Sequence, residues 1–294
     1  MMSDNIKEAM AELMAAGNKR MEEWPYKATD DAGGYYCTKC GNRLYTFLPA
    51  LGRVVPSICP CMKAERDQRE AQKMAEQKKM EAGARRAACF GHATAHFSET
   101  WANDDPSLNP DQSARRAADA VRKFSKNFET VRNSGRVKGF LLAGSVGSGK
   151  SYLAAAACNS VIDQGYSALF TNVPEIAARI LNAERFGQGK ESWNDLLSYD
   201  LIVVDDLFSE AQNATNQDIA FRFLDQRINQ GKQLIVTANM ELKDLNDLNA
   251  GAKTRIYDRL LKLIPMTVSG RSIRRAEFKD AYNDASQFIN DLEG

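Results

Sequence analysis

Gly144-Ser-Val-Gly-Ser-Gly-Lys150-Ser151 constrains this chain more than any other stretch, because it dictates its own backbone and that of its neighbours. The pattern G-x-x-x-x-G-K-[ST] works when a strand delivers it and a helix leaves it. The loop then wraps backbone N–H groups around phosphate oxygens, and the helix start adds the positive end of its dipole. Both flanks are present: the apolar run KGFLLAG precedes the motif, and SYLAAAACNSVIDQG follows it, stopped by Gly165. Gly144, Gly147 and Gly149 let the amides turn inward with no Cβ in the way, and Ser145, Val146 and Ser148 fill the loop between them. Lys150 is placed to reach the β- and γ-phosphates, and the Ser151 hydroxyl to ligate Mg²⁺. The ligand expected is ATP with magnesium.

The text after this motif alternates between the two kinds of element. YSALFT, LIVVDD, QLIVTAN and IPMTVSG are apolar runs, separated by the helical patterns PEIAARIL, NQDIAFRFLDQRINQG and KTRIYDRLLKL. Strand runs without alternation, joined by helices, predict an α/β domain whose parallel sheet is covered on both faces. LIVVDD ends in two acids. Asp205 suits holding Mg²⁺ from its outer coordination shell, and Asp206 suits polarising an attacking water. Asn239, at the end of QLIVTAN, suits holding that water. Arg255 and Arg259 stand four apart on one helix face beside Asp258. Two such arginines are either solvated or, in an oligomer, available to the transferred phosphate of a neighbour.

The first third of the chain is of another kind. Residues 5 to 23 carry helical periodicity, and 24 to 61 are dominated by Pro, Gly, Tyr and paired cysteines. Cys37-x-x-Cys40 and Cys59-Pro-Cys61 supply four thiolates, a set that suits a closed, structural, tetrahedral Zn²⁺ site, with Gly41 permitting the tight turn. Cys89 and His92 form a C-x-x-H that offers alternative ligands. Residues 62 to 86 are rich in Ala, Glu, Lys and Gln and lack an apolar face, which predicts a solvated helical connector of about 37 Å. Residues 101 to 111 read as a loop, and 112 to 132 as one helix. The boundaries expected are 1–61 for the zinc module, 62–96 for the connector and 97–294 for the nucleotide-binding domain.

With 39 Lys plus Arg against 38 Asp plus Glu, nucleic acid is not attracted by overall charge, so any such site is a local patch. Arg179, Arg185, Phe186 and Lys190, between the second and third strands, are the candidates for contacting a single strand, with a solvated helix and loop as the plain alternative. No apolar run of about eighteen residues and no basic-then-apolar start is found, so the expected location is the cytoplasm. His96 and Cys158 read as packing residues.

The succession GSVGSGKS, LIVVDDL, QLIVTAN, TRIYDRL and VSGRSIR, over roughly residues 97 to 280, resembles the DnaC/DnaI/IstB branch of the AAA+ ATPases. The resemblance implies a three-layer AAA+ P-loop domain with a central parallel five-stranded sheet, preceded by the small helical and zinc-binding module. It implies self-association with ATP at subunit interfaces, and slow, switch-like hydrolysis. It makes Asn239 the sensor asparagine, Arg259 the arginine finger, Arg255 its companion, and Arg274 of GRSIR the closing arginine that senses nucleotide. Asp206 departs from the Glu that many AAA+ members carry there. Too little chain follows the last strand for a full lid plus a helix-turn-helix DNA reader, so the domain is expected to lack a full lid. The function implied is a replicative helicase loader that grips a hexameric helicase and single-stranded DNA. A transposition helper similar to IstB is the alternative, with a small-molecule kinase and a zinc module bearing an inactive ATPase behind it.

Overall fold

The computed structural model describes residues 24, 27–29, 35–48, 53–57, 59–91, 93–208, 214–245, 252–270 and 272–273. The helix expected over 5–23, His92 and Arg274 lie outside these residues. The chain divides into two compact units, residues 1–80 and 81–294.

In the first unit β1 (Lys27–Thr29) pairs antiparallel with β2 (Tyr35–Cys37), and β3 (Tyr45–Leu48) with β4 (Arg53–Pro56). These hairpins were not foreseen in the sequence, because strands of three or four residues are too short for a period of two to register. Among the described residues the buried core is Trp24, Cys37, Leu44 and Cys59. Helix α1 runs Pro60–Phe90, longer than the 62–86 expected, with proline at its first position, where the missing N–H is no loss. Its 31 residues span about 46 Å. Ion pairs between Glu65 and Arg69 and between Arg66 and Glu70 lace its exposed surface one turn apart. The solvated run ends at Cys89 and Phe90, which are buried in the core of the second unit.

The second unit is built on five parallel strands: β5 (Gly139–Ala143), β6 (Ala168–Asn172), β7 (Leu201–Asp205), β8 (Gln233–Ala238) and β9 (Ile264–Thr267). Their order is β6-β7-β8-β5-β9. Alternate residues of each strand face opposite ways. Leu141, Ile202, Val204, Leu234 and Val236 join one apolar cluster, and Phe140, Leu142, Val203, Ile235 and Val268 the other. The first cluster is covered by α5 (Val173–Arg185), α6 (Gly189–Ser198), α7 (Ala214–Asn229) and α9 (Ala252–Leu260). The second is covered by α2 (Gln112–Lys126) and α4 (Lys150–Asp163). The result is three layers, with apolar runs buried on both faces as the unalternating text required. Pro265 is tolerated because β9 is an edge strand.

The single helix expected over 112–132 is two. It breaks at Asn127, whose φ of −109° leaves the helical region, and resumes as α3 (Phe128–Ser134). The Asn127 amide donates to Lys123 O at 2.8 Å, competing with the helix ladder. The turn lets Phe128 bury its ring edge-on against Phe124 and Tyr166. A short α8 (Leu242–Leu245) follows β8. Arg227 is fully buried in α7, where its guanidinium donates to the carbonyls of Leu197, Tyr199, Asp200 and Gln233. Burial pulls its pKa down to about 9, against the opposing pull of Asp200. Among the described residues no helix is long and apolar enough to cross a membrane.

Candidate functional site

The glycine-rich loop leaves β5 and enters α4 at Lys150. Gly144 passes so close to β9 that an added Cβ would lie 2.2 Å from Val268 O, and at Gly147 a Cβ would lie 2.2 Å from Ser272 Oγ. These close approaches, together with φ values of 154° and 81°, explain why side chains are barred there. Lys150 is buried, and its Nζ donates to Gly144 O at 3.1 Å and Ser145 O at 2.7 Å, so the loop curls around the ammonium group. Ser148 is buried beside it, while Ser145 and Val146 are exposed.

Strand β7 carries Asp205 to this loop. Asp205 shares the parity of Val203, so it points to the sheet face that α4 covers. There Ser151 Oγ donates to Asp205 Oδ1 at 2.9 Å, with Oδ2 at 3.2 Å. Asp206 follows in a left-handed conformation, φ 52°, which is uncommon for a non-glycine residue and tolerated best by Asp and Asn. Asn239 Nδ2 donates to Asp206 Oδ1 at 2.6 Å. A cavity of roughly 440 Å³ opens over this group, lined by Lys150, Ser151, Asp205, Asp206 and Asn239. Ser151 and Asp205 offer hard oxygen donors at one point, the chemistry that Mg²⁺ prefers.

The far wall of the cavity was not foreseen. Glu99, Asp104 and Asn109, in the segment between α1 and α2, line it with Tyr152. Asp104 is held by Arg115 and Arg122, the latter lying over the Trp101 ring. The Asn109 amide donates at 2.9 Å to Ser148 O and to Ser269 O, tying the phosphate loop to the end of β9. Ile273 N donates to Gly147 O at 2.9 Å, so Ile273 meets the loop. The only sequence signal for Asn109 is an Asn-Pro turn dipeptide, which announces a bend and no contact. Thr237 was also missed: its Oγ1 lies 2.6 Å from Asp205 Oδ1.

Other expected residues lie elsewhere. Arg255 and Arg259 do not line this cavity. Both guanidinium groups stack over Phe221, 4.7 and 5.6 Å from the ring centre, and Arg259 Nε donates to Asp225 Oδ1 at 2.5 Å. The acid that Arg259 meets is thus Asp225 on α7. Arg179 faces Asp195 at 3.8 Å, Arg185 is exposed, and Phe186 is 79% exposed at the end of α5. Lys190 opens α6. His96 stacks on Phe170 at 4.6 Å and meets Glu99 Oε2 at 2.5 Å. Cys89 and Cys158 are both buried in the apolar cluster behind the sheet.

In the first unit the sulfurs of Cys37, Cys40, Cys59 and Cys61 lie within 4.8 Å of one another. Two donors point at them: Trp24 Nε1 at Cys37 Sγ and Met62 N at Cys59 Sγ, each at 3.4 Å. Burial raises the Cys37 thiol, but hydrogen bonds from Trp24 and nearby backbone outweigh it and bring it to about 7. Cys61 is pushed up to about 11, first by its hydrogen bond with Cys40. Four soft donors in one cluster are the set that a divalent zinc ion would satisfy.

With this geometry in view, a family model described as IstB-like ATP binding protein matches residues 111–281, more than half of the chain. The chain belongs to that family. This IstB-like protein is also similar to the replicative helicase loader DnaC of Escherichia coli strain K12, at 26% identity over 146 residues, covering 49% of this chain and 56% of DnaC. An insertion sequence ATP-binding protein of Sinorhizobium fredii, y4iQ/y4nD/y4sD, is 29% identical over 106 residues, covering 36% of this chain and 35% of that one. The chain thus spans about half the length of the DnaC proteins it matches, and about a third of the insertion-sequence protein. The crystal structure of DnaI superposes with a TM-score of 0.49 at 22% identity, covering 61% of this chain and 93% of that chain. ATP binding, an AAA+ P-loop domain and kinship with DnaC-type loaders accordingly describe this IstB-like protein.

Proposed function

We propose that this IstB-like protein is an ATP-hydrolysing loader of a hexameric replicative helicase, acting in the cytoplasm. The observation that carries the reading is the meeting of Ser151 with Asp205 at the mouth of the glycine-rich loop, since it joins a phosphate cradle to an acid. The amides of Gly144 to Ser151 and the Lys150 ammonium bind the phosphates of ATP. Ser151 and Asp205 would hold Mg²⁺, which when bound neutralises charge on the terminal phosphates. Asp206 takes a proton from the attacking water, and Asn239, bonded to its carboxylate, orients both. Asp is one methylene shorter than Glu, which limits its reach and favours slow, switch-like turnover.

Arg259, with Arg255 beside it, serves the γ-phosphate of a neighbouring copy, because neither lines the cavity of its own chain. Arg274 closes on the nucleotide from its own chain. The zinc module, with Cys37, Cys40, Cys59 and Cys61 as ligands, grips the helicase. Arg185, Lys190 and the exposed ring of Phe186 contact single-stranded DNA.

Size-exclusion of the full chain with candidate hexameric helicases, with and without ATP, tests the reading. Co-elution that depends on ATP is expected, and its absence for every replicative helicase tried removes the loader assignment. The second reading, a transposition helper, is favoured by the likeness to the insertion sequence ATP-binding protein. Capture of a transposase in place of a helicase would move the conclusion to it.

A further inference from the structure

The strand order puts β8 between β5, which delivers the glycine-rich loop, and β7, which delivers the acids. Asp205 therefore meets Ser151 across the tip of β8. The penultimate residue of β8 is Thr237, 1% exposed and paired in register with Leu142 of β5. Its parity matches Ile235, so its hydroxyl faces the same side of the sheet as Asp205.

Thr237 Oγ1 lies 2.6 Å from Asp205 Oδ1 and 2.8 Å from Asp206 N. The direction of both bonds is forced. A backbone N–H only donates, so the hydroxyl accepts from Asp206 and its single proton goes to the Asp205 carboxylate. The same Oδ1 also accepts from Ser151. The Thr237 backbone carbonyl takes Leu207 N at 2.9 Å, which pins the other side of Asp206. Asp206 is the one non-glycine residue with positive φ among the described residues, and relaxation of that backbone would swing its carboxylate away from Asn239.

We propose that Thr237 is a positioning residue of the nucleotide site, whose one hydroxyl sets the Asp205 carboxylate and the left-handed Asp206 backbone together. The proposal rests on the reading of this site as one for ATP and Mg²⁺, and it makes the two acids a coupled pair. A β-branched residue is ordinary in a strand, so Thr237 carries no mark in the sequence.

The test uses the full chain with Thr237→Val, which keeps the shape and removes the hydroxyl, and Thr237→Ser, which keeps the hydroxyl. Binding of N-methylanthraniloyl-ATP is measured in EDTA and across a Mg²⁺ titration, beside steady-state hydrolysis. In EDTA the Val variant is expected to bind within about twofold of wild type. The Mg²⁺ concentration at half-maximal binding is expected to rise about tenfold or more, the scale of one lost hydrogen bond to a charged group. Hydrolysis falls with it, and Ser restores both. Equal weakening with and without Mg²⁺, an unchanged Mg²⁺ midpoint, or a Ser variant that behaves like Val each overturns the proposal. If Thr237→Val does not fold, as judged by its melting curve, Thr237→Ala against Thr237→Ser gives the same reading. A wild-type chain that takes up no nucleotide with Mg²⁺ overturns the ATP reading and this proposal with it. Binding by wild type with a Mg²⁺-insensitive Val variant overturns the proposal alone.

Discussion

The cysteine unit and the nucleotide-binding unit meet the cost of folding by different means. The first buries Trp24, Leu44 and two of its own cysteines, with hairpins of three and four residues around them. The second buries an apolar cluster on each face of a five-stranded sheet. Among the described residues four buried side chains are few against the conformational entropy of the segment they order, whereas a doubly covered sheet buries far more apolar area. The difference teaches where stability comes from in each: apolar area carries the second unit, and the four clustered sulfurs mark where a bound metal would carry the first. It also separates the two chemistries, since a closed thiolate site leaves no open position and the glycine-rich loop leaves a cavity.

Removing the metal should break the comparison most visibly. Chelation, or Cys37→Ser with Cys40→Ser, is expected to unfold the cysteine unit outright, because binding of structural zinc in small modules is worth about 10 kcal/mol or more. Limited proteolysis should then cut residues 27–57 rapidly while ATP binding persists. An unchanged digestion pattern would mean that the unit's own packing suffices without metal.

The next largest effect should fall in the other unit alone. Arg227→Met leaves the carbonyls of Leu197, Tyr199, Asp200 and Gln233 without their donor. A loss of about 3–5 kcal/mol is expected, read by calorimetry as a lowered melting temperature for residues 81–294 only. A melt unchanged within about 1 kcal/mol would mean that other donors or water replace the guanidinium.

Lys150→Ala should cost about 10- to 100-fold in affinity for ATP with magnesium, the range for hydrogen bonds to a charged group, without altering the cysteine unit. Equilibrium binding of a fluorescent nucleotide measures it, and undiminished affinity would mean that the loop amides alone carry the phosphates. The smallest effect is reserved for α1. Met80 is 78% exposed, so Met80→Gln should change stability by less than about 0.5 kcal/mol. A loss well above that in a denaturant melt would reveal a covered face where a solvated one is expected.

Some elements were legible in the text because they rest on nearest-neighbour chemistry. The strands LIVVDD and QLIVTAN fall at β7 and β8, as unalternating apolar runs between helices require. The break at Asn127 was not legible, because the apolar period continues through it and only the burial of Phe128 against Phe124 and Tyr166 shows what the turn achieves. The hairpins around the cysteines escaped for want of length. Within the site, the glycine-rich loop and Asp205 were marked by their own types and spacing. Asn109 and Thr237 were not, since one sits in a loop far along the chain from the groups it ties and the other is an ordinary strand residue.

By itself the sequence determined that this protein carries a phosphate-binding loop between strand and helix, a parallel sheet buried on both faces, and four cysteines spaced for a metal. These follow from local backbone freedom, side-chain period and donor chemistry, which act over a few residues. Only the tertiary structure decided that β8 stands between loop and acids, so that a threonine hydroxyl joins Asp205 to Asp206, and that Arg259 turns to Asp225. Strand order and long-range pairing are set by how whole elements pack, and no short window of residues contains that information.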